Sequence, residues 1–322
     1  MNKKKIIILG ATGFIGRNIV EYFAGKKQFE VFAVFNKKNK FLFNGIKWIK
    51  ADLRNERNVK NLFKDIDIVI QAAATTSGAK DIKNKPYIHV TDNAVMNSLI
   101  LRSVFASNVK HFIFFSCTVM YQSSIKPVKE SEFNESKEIY YNYFGVGWTK
   151  VYIEKMCKFY SNISNTKFTV IRHSNIYGDH DKYDLEKSHV FGATITKVMT
   201  SKSKITIWGK GNEGRDLLHV SDLINFVHMV INRQKNNYEI FNVGLGKAIK
   251  IKKLVSLIIK ISKKNLFIEH DLSKPSFKTS LSLNCNKAKK LIGWEPKILL
   301  NEGILKTLKW WKLQYKSKNL SK

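Results

Sequence analysis

Four side chains of this sequence could move a proton or hold an anion: Cys117 in "FSCTVMY", Lys150 in "GWTKVYIEK", His180 in "YGDHD" and Arg215 in "GRDLLHV". Histidine exchanges protons near neutral pH, so it can act as a base toward an acidic carbon. A lysine ammonium can lower the pKa of a neighbouring phenol. A guanidinium can bind a diphosphate through two parallel hydrogen bonds. Together these residue types indicate acid–base chemistry on an anionic substrate.

The helix predicted around Lys150 lacks a phenol one turn earlier. Residues four apart share a helix face, and Val146 stands four residues before Lys150. Tyr143 is seven residues away, ~10.5 Å along the axis if the helix extends that far. Gly145 and Gly147 make an irregular first turn credible, because glycine costs about 1 kcal/mol within a helix. Tyr143 is therefore either an ordinary packed tyrosine or, if the turn bends inward, a proton donor.

The segment "KKKIIILGATGFIGRNIVEYF" predicts a buried strand, a glycine turn and a helix. Gly10 permits the tight turn, Gly13 lets the backbone approach a pyrophosphate, and Gly16 lets helix and strand pack closely. The N-terminus of the helix would face the anion. The segment therefore predicts a dinucleotide-binding loop, with a merely tight turn as the alternative.

The end of the second predicted strand bears on the choice of dinucleotide. An acidic residue there would bind a ribose 2′-hydroxyl and exclude a 2′-phosphate, but this end reads "VFNKK". Lys37, Lys38 and Arg17 therefore favour NADP, although a general lysine bias would give the same pattern and leaves NAD open. Further expected cofactor contacts are Thr12, Phe14, Ile15, Asn36, Asp52, Leu53, Ala72, Ala73, Ala74, Asn175 and Ile176, with Lys150 near the nicotinamide.

Strand and helix patterns alternate through the first half of the chain. Strands are predicted in "FEVFAVF", "IKWIKADL", "DIVIQAAA", "HFIFFSCT" and "FTVIRHSNIYG", with the helix "ERNVKNLFKD" among those between them. This alternation predicts an α/β fold with a doubly wound parallel Rossmann sheet. We expect residues 1–178 to form the nucleotide-binding domain, with elements near 215–245 returning to it. Residues 179–322 should form mainly a smaller α/β substrate-binding lobe.

The amino-acid composition limits which kinds of partner the protein can have. The formal net charge is +31, but only seven of the 56 cationic residues are arginine and the lysines are dispersed. This favours a lysine-rich surface over a nucleic-acid footprint. The three cysteines have no paired spacing, which predicts a reducing cytoplasm and no metal site. No stretch approaches the ~20 apolar residues that span a bilayer.

Nearly the whole chain resembles the extended short-chain dehydrogenase/reductase superfamily, in its branch of nucleotide-sugar epimerases, dehydratases and reductases. The resemblance rests on "GATGFIG", "DIVIQAAA", "HFIFFSCTVMY", "GWTKVYIEK", "IRHSNIYG", "RDLLHVSDL" and "AKKLIGWEPKILLNEGI". Within that branch, "NIYGDHDKYDLEKSHVFGATITKV" and "ITIWGKGNEGRDLLHV" are most similar to the GDP-L-fucose synthase family. The resemblance implies NADPH, a nucleotide-diphospho-4-keto-6-deoxy sugar, a homodimer and a role in surface-polysaccharide synthesis.

Enzymes of that family epimerise carbons beside a ketone with a cysteine and a histidine, and support hydride transfer with a Ser-Tyr-Lys set. By resemblance, His180 is the histidine, Lys150 is the lysine, and Val146 replaces the tyrosine. Cys117, followed by Thr118, takes the place of the usual serine or threonine. The family's cysteine position is Val119, which would point to the same side of the strand about 6.6 Å away. Cys117 could therefore face the sugar, or be a packing cysteine.

For the substrate, Arg215 stands where the family binds the diphosphate. Ser280 stands where relatives often carry a second phosphate arginine, and Lys274 or Lys278 could compensate. Further candidates for the substrate pocket are Asn175, His189 and Trp208.

Three functions remain open from the sequence. The first is an NADP-dependent epimerase and reductase of a 4-keto sugar nucleotide. The second is an epimerase with little reductase activity, because Val146 cannot donate a proton. The third is a noncatalytic nucleotide-binding protein on the same fold. Homodimer pairing would use the helices carrying "VTDNAVMNSLIL" and "GWTKVYIEKMC".

Overall fold

The computed structural model describes residues 3–76, 85–185, 188–273 and 280–320. The strands in chain order are β1 (Lys4–Leu9), β2 (Phe29–Phe35), β3 (Ile46–Lys50), β4 (Ile68–Gln71), β5 (His111–Phe115), β6 (Lys167–His173), β7 (Asn175–Tyr177), β8 (Lys204–Trp208), β9 (Gly214–His219), β10 (Tyr238–Val243), β11 (Ala248–Lys250) and β12 (Phe267–Asp271).

The α-helices of the described residues lie mostly between these strands. They are α1 (Phe14–Ala24), α2 (Glu56–Val59), α3 (Thr91–Ala106), α4 (Phe144–Ile163), α5 (Val190–Thr200), α6 (Val220–Arg233), α7 (Ile251–Ser262), α8 (Asn286–Ile292) and α9 (Leu300–Leu320). Short 3₁₀ turns span Pro86–His89, Glu130–Glu132 and Tyr141–Tyr143.

The main sheet has the strand order β10-β6-β5-β4-β1-β2-β3, and all neighbouring strands are parallel. Helices cover both faces, so its central strands are almost continuously apolar. Ile6 and Ile8 of β1 pack in a cluster with α1 and α6, whereas Ile7 and Leu9 pack in a cluster with α3 and α4. The doubly wound α/β fold predicted from the sequence is confirmed.

A smaller lobe follows β6. Its sheets are β11-β9-β7 and the parallel pair β12-β8. Tyr177, Phe191, Leu217, Leu254 and Leu308 belong to its core. The chain returns to the main sheet through β10, which pairs with β6.

One predicted helix is much shorter than its pattern indicates. The segment "ERNVKNLFKD" is helical only over Glu56–Val59. After it, Leu62 donates to the carbonyl of Val59, and Ile66 to that of Phe63, so the backbone bonds span three residues and the chain proceeds in tighter turns. Asp65 then adopts a positive φ of 59°, which ends the turns before β4.

Among the described helices, none combines the length and the apolar character needed to cross a membrane.

Candidate active site

The glycine turn after β1 is built for close approach. Gly10 has φ +73°, and a Cβ there would lie 2.6 Å from the Cα of Ala73. A Cβ at Gly16 would lie 2.2 Å from the carbonyl oxygen of Gly10. Gly13 precedes α1 and has no side chain to cap the helix, so the first amides of α1 can bind an anion. The geometry fits the pyrophosphate of a dinucleotide.

Other residues expected at the cofactor lie after strands of the main sheet, in the glycine loop and α1, or in β7 of the smaller lobe. Ala72, Ala73 and Ala74 follow β4, and the amide of Ala73 donates to the side chain of Gln71. Leu53 is buried after β3, and Ile176 is buried in β7. Thr12, Phe14 and Ile15 are half-buried in the loop and first turn of α1.

The ends of β2 and β3 carry several charges. Hydrogen bonds from Arg54 lower the pKa of Asp52 to about 2, and the Asn36 side chain adds a further hydrogen bond. Arg17 donates to Glu21 at 2.8 Å and lies 4.4 Å from the centre of the Phe41 ring. Lys37 and Lys38 are exposed beyond the end of β2. Asp52 is thus engaged by Arg54, while the exposed cations lie beyond β2.

Lys150 and Cys117 meet at the carboxyl end of β5. The ammonium of Lys150 donates to the carbonyl oxygen of Phe115 at 2.8 Å and lies 4.7 Å from the centre of the Phe114 ring. Burial lowers the pKa of Lys150. Burial raises the pKa of Cys117, and the nearby charge of Lys150 opposes that shift. The thiol is therefore protonated at neutral pH, with an ammonium close by.

Tyr143 also lies at this end of β5. It closes the Tyr141–Tyr143 3₁₀ turn, and α4 begins at the next residue. With Cys117 it packs against a cluster that contains Met120 and Leu283. Burial raises the pKa of its phenol, the charge of Arg215 opposes this, and Cys117 adds to it. The 3₁₀ turn thus ends directly before α4, the helix that carries Lys150. Tyr143 lies in that turn, where it packs against the same cluster as Cys117 and where the charge of Arg215 acts on its phenol.

His180 has a different location. Its Nε2 lies 3.0 Å from a carboxylate oxygen of Glu21, in α1, and its ring centre lies 5.3 Å from that of Trp310, in α9. The side chain of Asn18 donates to the carbonyl of Asp179 and ties the same loop to α1. These contacts hold His180 at the junction of α1 and α9. The catalytic role that the resemblance implies for His180 stays a prediction.

His189 directly precedes α5 and is exposed to solvent. Desolvation by neighbouring protein atoms lowers the pKa of His189, and the charges of Lys182 and His89 lower it further. Burial lowers the pKa of His173 to about 4, and Lys150 and His189 both contribute. His173 thus lies near both Lys150 and His189, a connection that sequence reasoning missed.

The candidate diphosphate residues lie in and around β9. Arg215 donates to the carbonyl of Gly214, and Asn175 donates to the carbonyl of Asp216. Ser280 accepts a hydrogen bond from the amide of Gly214 at 2.8 Å, so it holds the chain next to Arg215.

Trp208, Thr118, Lys274 and Lys278 are the remaining candidates. Trp208 ends β8, is exposed, and lies 5.5 Å from the ammonium of Lys197. Thr118 is half-buried and accepts a backbone hydrogen bond from Tyr121. Lys274 and Lys278 lie outside the described residues.

Comparison with known proteins is consistent across sequence and structure. Residues 6–244 match the family model described as NAD dependent epimerase/dehydratase family. A GDP-L-colitose synthase of Yersinia pseudotuberculosis is 27% identical, over 94% of this chain and 96% of its own. A GDP-L-fucose synthase of Azorhizobium caulinodans is 25% identical, over 96% of both chains. The resemblance seen in the sequence is confirmed.

Solved structures with the same fold cover nearly the whole chain. A UDP-glucose 4-epimerase with UDP-glucose, from Thermotoga maritima, has a TM-score of 0.85 at 22% identity and covers 97% of this chain and 99% of its own. A GDP-6-OMe-4-keto-L-xylo-heptose reductase from C. jejuni has a TM-score of 0.81 at 22% identity, with 98% and 99% covered. The chain belongs to the NAD-dependent epimerase/dehydratase family.

Proposed function

We propose that the protein is an NADP-dependent epimerase and reductase of a nucleotide-diphospho-4-keto-6-deoxy sugar. The observation that carries the proposal is the grouping of Lys150, Cys117 and Tyr143 around the end of β5, where the charge of Arg215 also acts on the phenol. Relatives named GDP-L-colitose synthase and GDP-L-fucose synthase support this substrate class.

The cofactor site takes a nicotinamide dinucleotide with its pyrophosphate on the glycine turn. When bound, the nicotinamide exchanges hydride with the substrate. Arg17, Lys37 and Lys38 would pair with a 2′-phosphate, while Asp52 is held by Arg54. NADP is therefore preferred to NAD, and titrating the protein with NADPH and with NADH tests this. Equal affinity would contradict the preference.

Tyr143 is proposed to deliver the proton that the ketone oxygen needs. Its phenol is protonated at neutral pH, and Arg215 stabilises the phenolate that forms when the proton leaves. Lys150 adds a second positive charge at the end of β5. This pair of cations takes the place of the usual arrangement, in which the tyrosine stands at position 146.

Two further groups would move protons at the ring carbons. His189 is neutral at pH 7, because its surroundings lower its pKa, so it is ready to act as a base. Cys117 is protonated, so its thiol can return a proton to carbon. His180 is held by Glu21 and Trp310, which makes it the weaker candidate for this chemistry.

The test is incubation in deuterated water with NADPH and 4-keto-6-deoxy sugars carrying GDP, UDP or dTDP. Deuterium at the carbons beside the ketone reports epimerisation, and NADPH oxidation reports reduction. We expect both with one nucleotide. No deuterium and no oxidation with any of these sugars, despite tight NADPH binding, would favour a noncatalytic binding protein.

A second candidate function is an epimerase without efficient reductase activity. Val146 favours it, because the family's proton donor is absent from that position. General acid catalysis is typically worth about 10²–10⁴ in rate, so reduction would be slow. Deuterium incorporation without matching NADPH oxidation would identify this function.

The protein is also proposed to act as a homodimer in the cytoplasm, in surface-polysaccharide synthesis. Apolar and aromatic side chains are exposed along α3 and α4: Val95, Phe105, Tyr152, Phe159 and Ile163. The two helices pack side by side, with Ser98 and Tyr152 within 3.5 Å of each other. A second copy would cover this surface.

A further inference from the structure

A buried ion pair lies next to Lys150 and Cys117. Arg172, in β6, donates to Glu154, in α4, with the shortest bond 2.6 Å long, and their side chains are 4% and 3% exposed. Replacing a buried ion pair by apolar residues of similar volume is often neutral or stabilising. A contribution to folding stability is therefore a weak explanation for the presence of this ion pair.

Glu154 holds the segment that carries the thiol. One of its carboxylate oxygens accepts a hydrogen bond from the hydroxyl of Ser116 at 2.5 Å. Ser116 stands between Phe115, whose carbonyl accepts the bond from Lys150, and Cys117. Glu154 also lies one helical turn after Lys150. The helix α4 therefore carries both Lys150, which binds the last residue of β5, and Glu154, which binds the residue after it.

Arg172 holds the other end of the same segment. It donates to the hydroxyl of Tyr121 at 2.9 Å, and that hydroxyl donates to the side chain of Asn242 at 2.9 Å. Burial raises the pKa of Tyr121 to about 12, so its hydroxyl keeps the proton that it donates. Residues 116–121 are thus fastened at both ends by the two members of one buried pair.

We propose that Glu154 and Arg172 are positioning residues that, through Ser116 and Tyr121, fix the segment 116–121 and thereby the place of the Cys117 thiol relative to Lys150. The effect of this positioning on catalysis rests on the proposed function, whereas the structural role of the ion pair in fixing the segment does not. Displacing a reacting group by about 1 Å can lower the rate about 10²-fold, so fixing the segment that carries the thiol should affect kcat.

The test uses Ser116→Ala, with Ser161→Ala as a matched control. Ser161 is also buried, in α4, and its hydroxyl donates to the carbonyl of Lys158, away from this segment. Hydrogen–deuterium exchange of peptides covering residues 116–121 needs no substrate. We expect Ser116→Ala to raise this exchange about tenfold, and Ser161→Ala to leave it within about twofold of the wild type.

Kinetics supply the second measurement. In Ser116→Ala, kcat should fall about tenfold or more while the affinity for NADPH stays unchanged, and Ser161→Ala should keep both. The double variant Glu154→Leu with Arg172→Met should still fold, as shown by circular dichroism and NADPH binding, yet show the same faster exchange and lower kcat.

Wild-type exchange rates in 116–121 for both Ser116→Ala and the double variant would overturn the proposal. If the wild type turns over none of the sugars, the proposed function fails, but the exchange experiment still decides whether the pair fixes the segment. If exchange rises while kcat stays at the wild-type value, the segment is fixed by the pair without serving catalysis, and the positioning role is rejected.

Discussion

The ammonium of Lys150 donates a hydrogen bond to the carbonyl oxygen of Phe115 at 2.8 Å. Phe115 is the last residue of β5, and Cys117 follows two residues later. The main chain of the sheet therefore holds the lysine whichever residue stands at position 146. A substitution at position 146 can therefore change proton delivery to the substrate without displacing Lys150.

Restoring a phenol at position 146 distinguishes the two candidate functions. If an efficient donor is missing, as in the second candidate function, Val146→Tyr should raise the rate of NADPH oxidation by about 10²-fold, because a general acid one turn before Lys150 is typically worth about that much. If Tyr143 delivers the proton, as proposed, the oxidation rate should stay near that of the wild type. Deuterium incorporation should stay unchanged. Val146→Phe is the matched control, since it adds the ring without the hydroxyl. An unchanged oxidation rate in Val146→Tyr would mean that another donor already serves.

Removing the hydroxyl of Tyr143 should impair reduction. Tyr143→Phe keeps the packing against Met120 and Leu283, and should lower NADPH oxidation by about 10²-fold. Tyr141→Phe is the control, because Tyr141 belongs to the same turn and is 88% exposed. If the two variants behave alike, Tyr143 is only a packed tyrosine.

His189 and His180 are the two candidates for the carbon base, and the proposed function assigns this role to His189. His189→Asn should lower deuterium incorporation beside the ketone by about 10²-fold or more, because the neutral base is lost. His180→Asn should leave it within about tenfold, since its contacts are with Glu21 and Trp310. The reverse order of effects would restore the assignment made by resemblance.

Acid should destabilise the protein partly through His111. This side chain is buried, its Nε2 lies 2.7 Å from the hydroxyl of Thr169, and burial lowers its pKa to about 3. The unfolded chain has a histidine pKa of about 6.5, so it binds more protons below that pH. The contribution of His111 is complete above about pH 6.5 and is lost as pH falls toward the folded-state pKa, by about 1.4 kcal/mol per unit.

Urea unfolding of His111→Asn and of the wild type, at about pH 5 and about pH 7, measures this contribution. The difference in unfolding free energy between the two proteins should shrink at the lower pH. His270→Asn is the control, because His270 is exposed on β12. Parallel pH dependence of His111→Asn and the wild type would contradict the prediction.

A charge on the exposed face of α4 should block dimer formation. Phe159 is 57% exposed and lies beside Tyr160 on that helix, so Phe159→Glu would place a charge in the proposed interface. Phe267→Glu, at an exposed position of β12, is the control. Sedimentation should show monomers only for Phe159→Glu. A wild-type monomer would refute the proposed interface.

Patterns of neighbouring residues in the sequence predicted most of the strands and helices and the glycine turn. Strand and helix periods indicated the alternating fold, because each period reports which faces of an element are buried. The spacing of Gly10 and Gly16 predicted the turn after β1, since those positions leave no room for a Cβ. The helix after β3 was predicted too long, because its pattern does not reveal the three-residue turns that follow Val59.

The sequence by itself determined the individual strands and helices, the glycine turn and the placement of Lys150 on a helix, since each depends on residues near one another in the chain. Only the tertiary structure decided which side chains contact His180. Glu21 lies 159 residues before His180 and binds it, and no local pattern reports a contact between such distant positions. The same holds for Tyr143 and Arg215, because the charge of Arg215 acts on the Tyr143 phenol although the two residues are far apart in the chain.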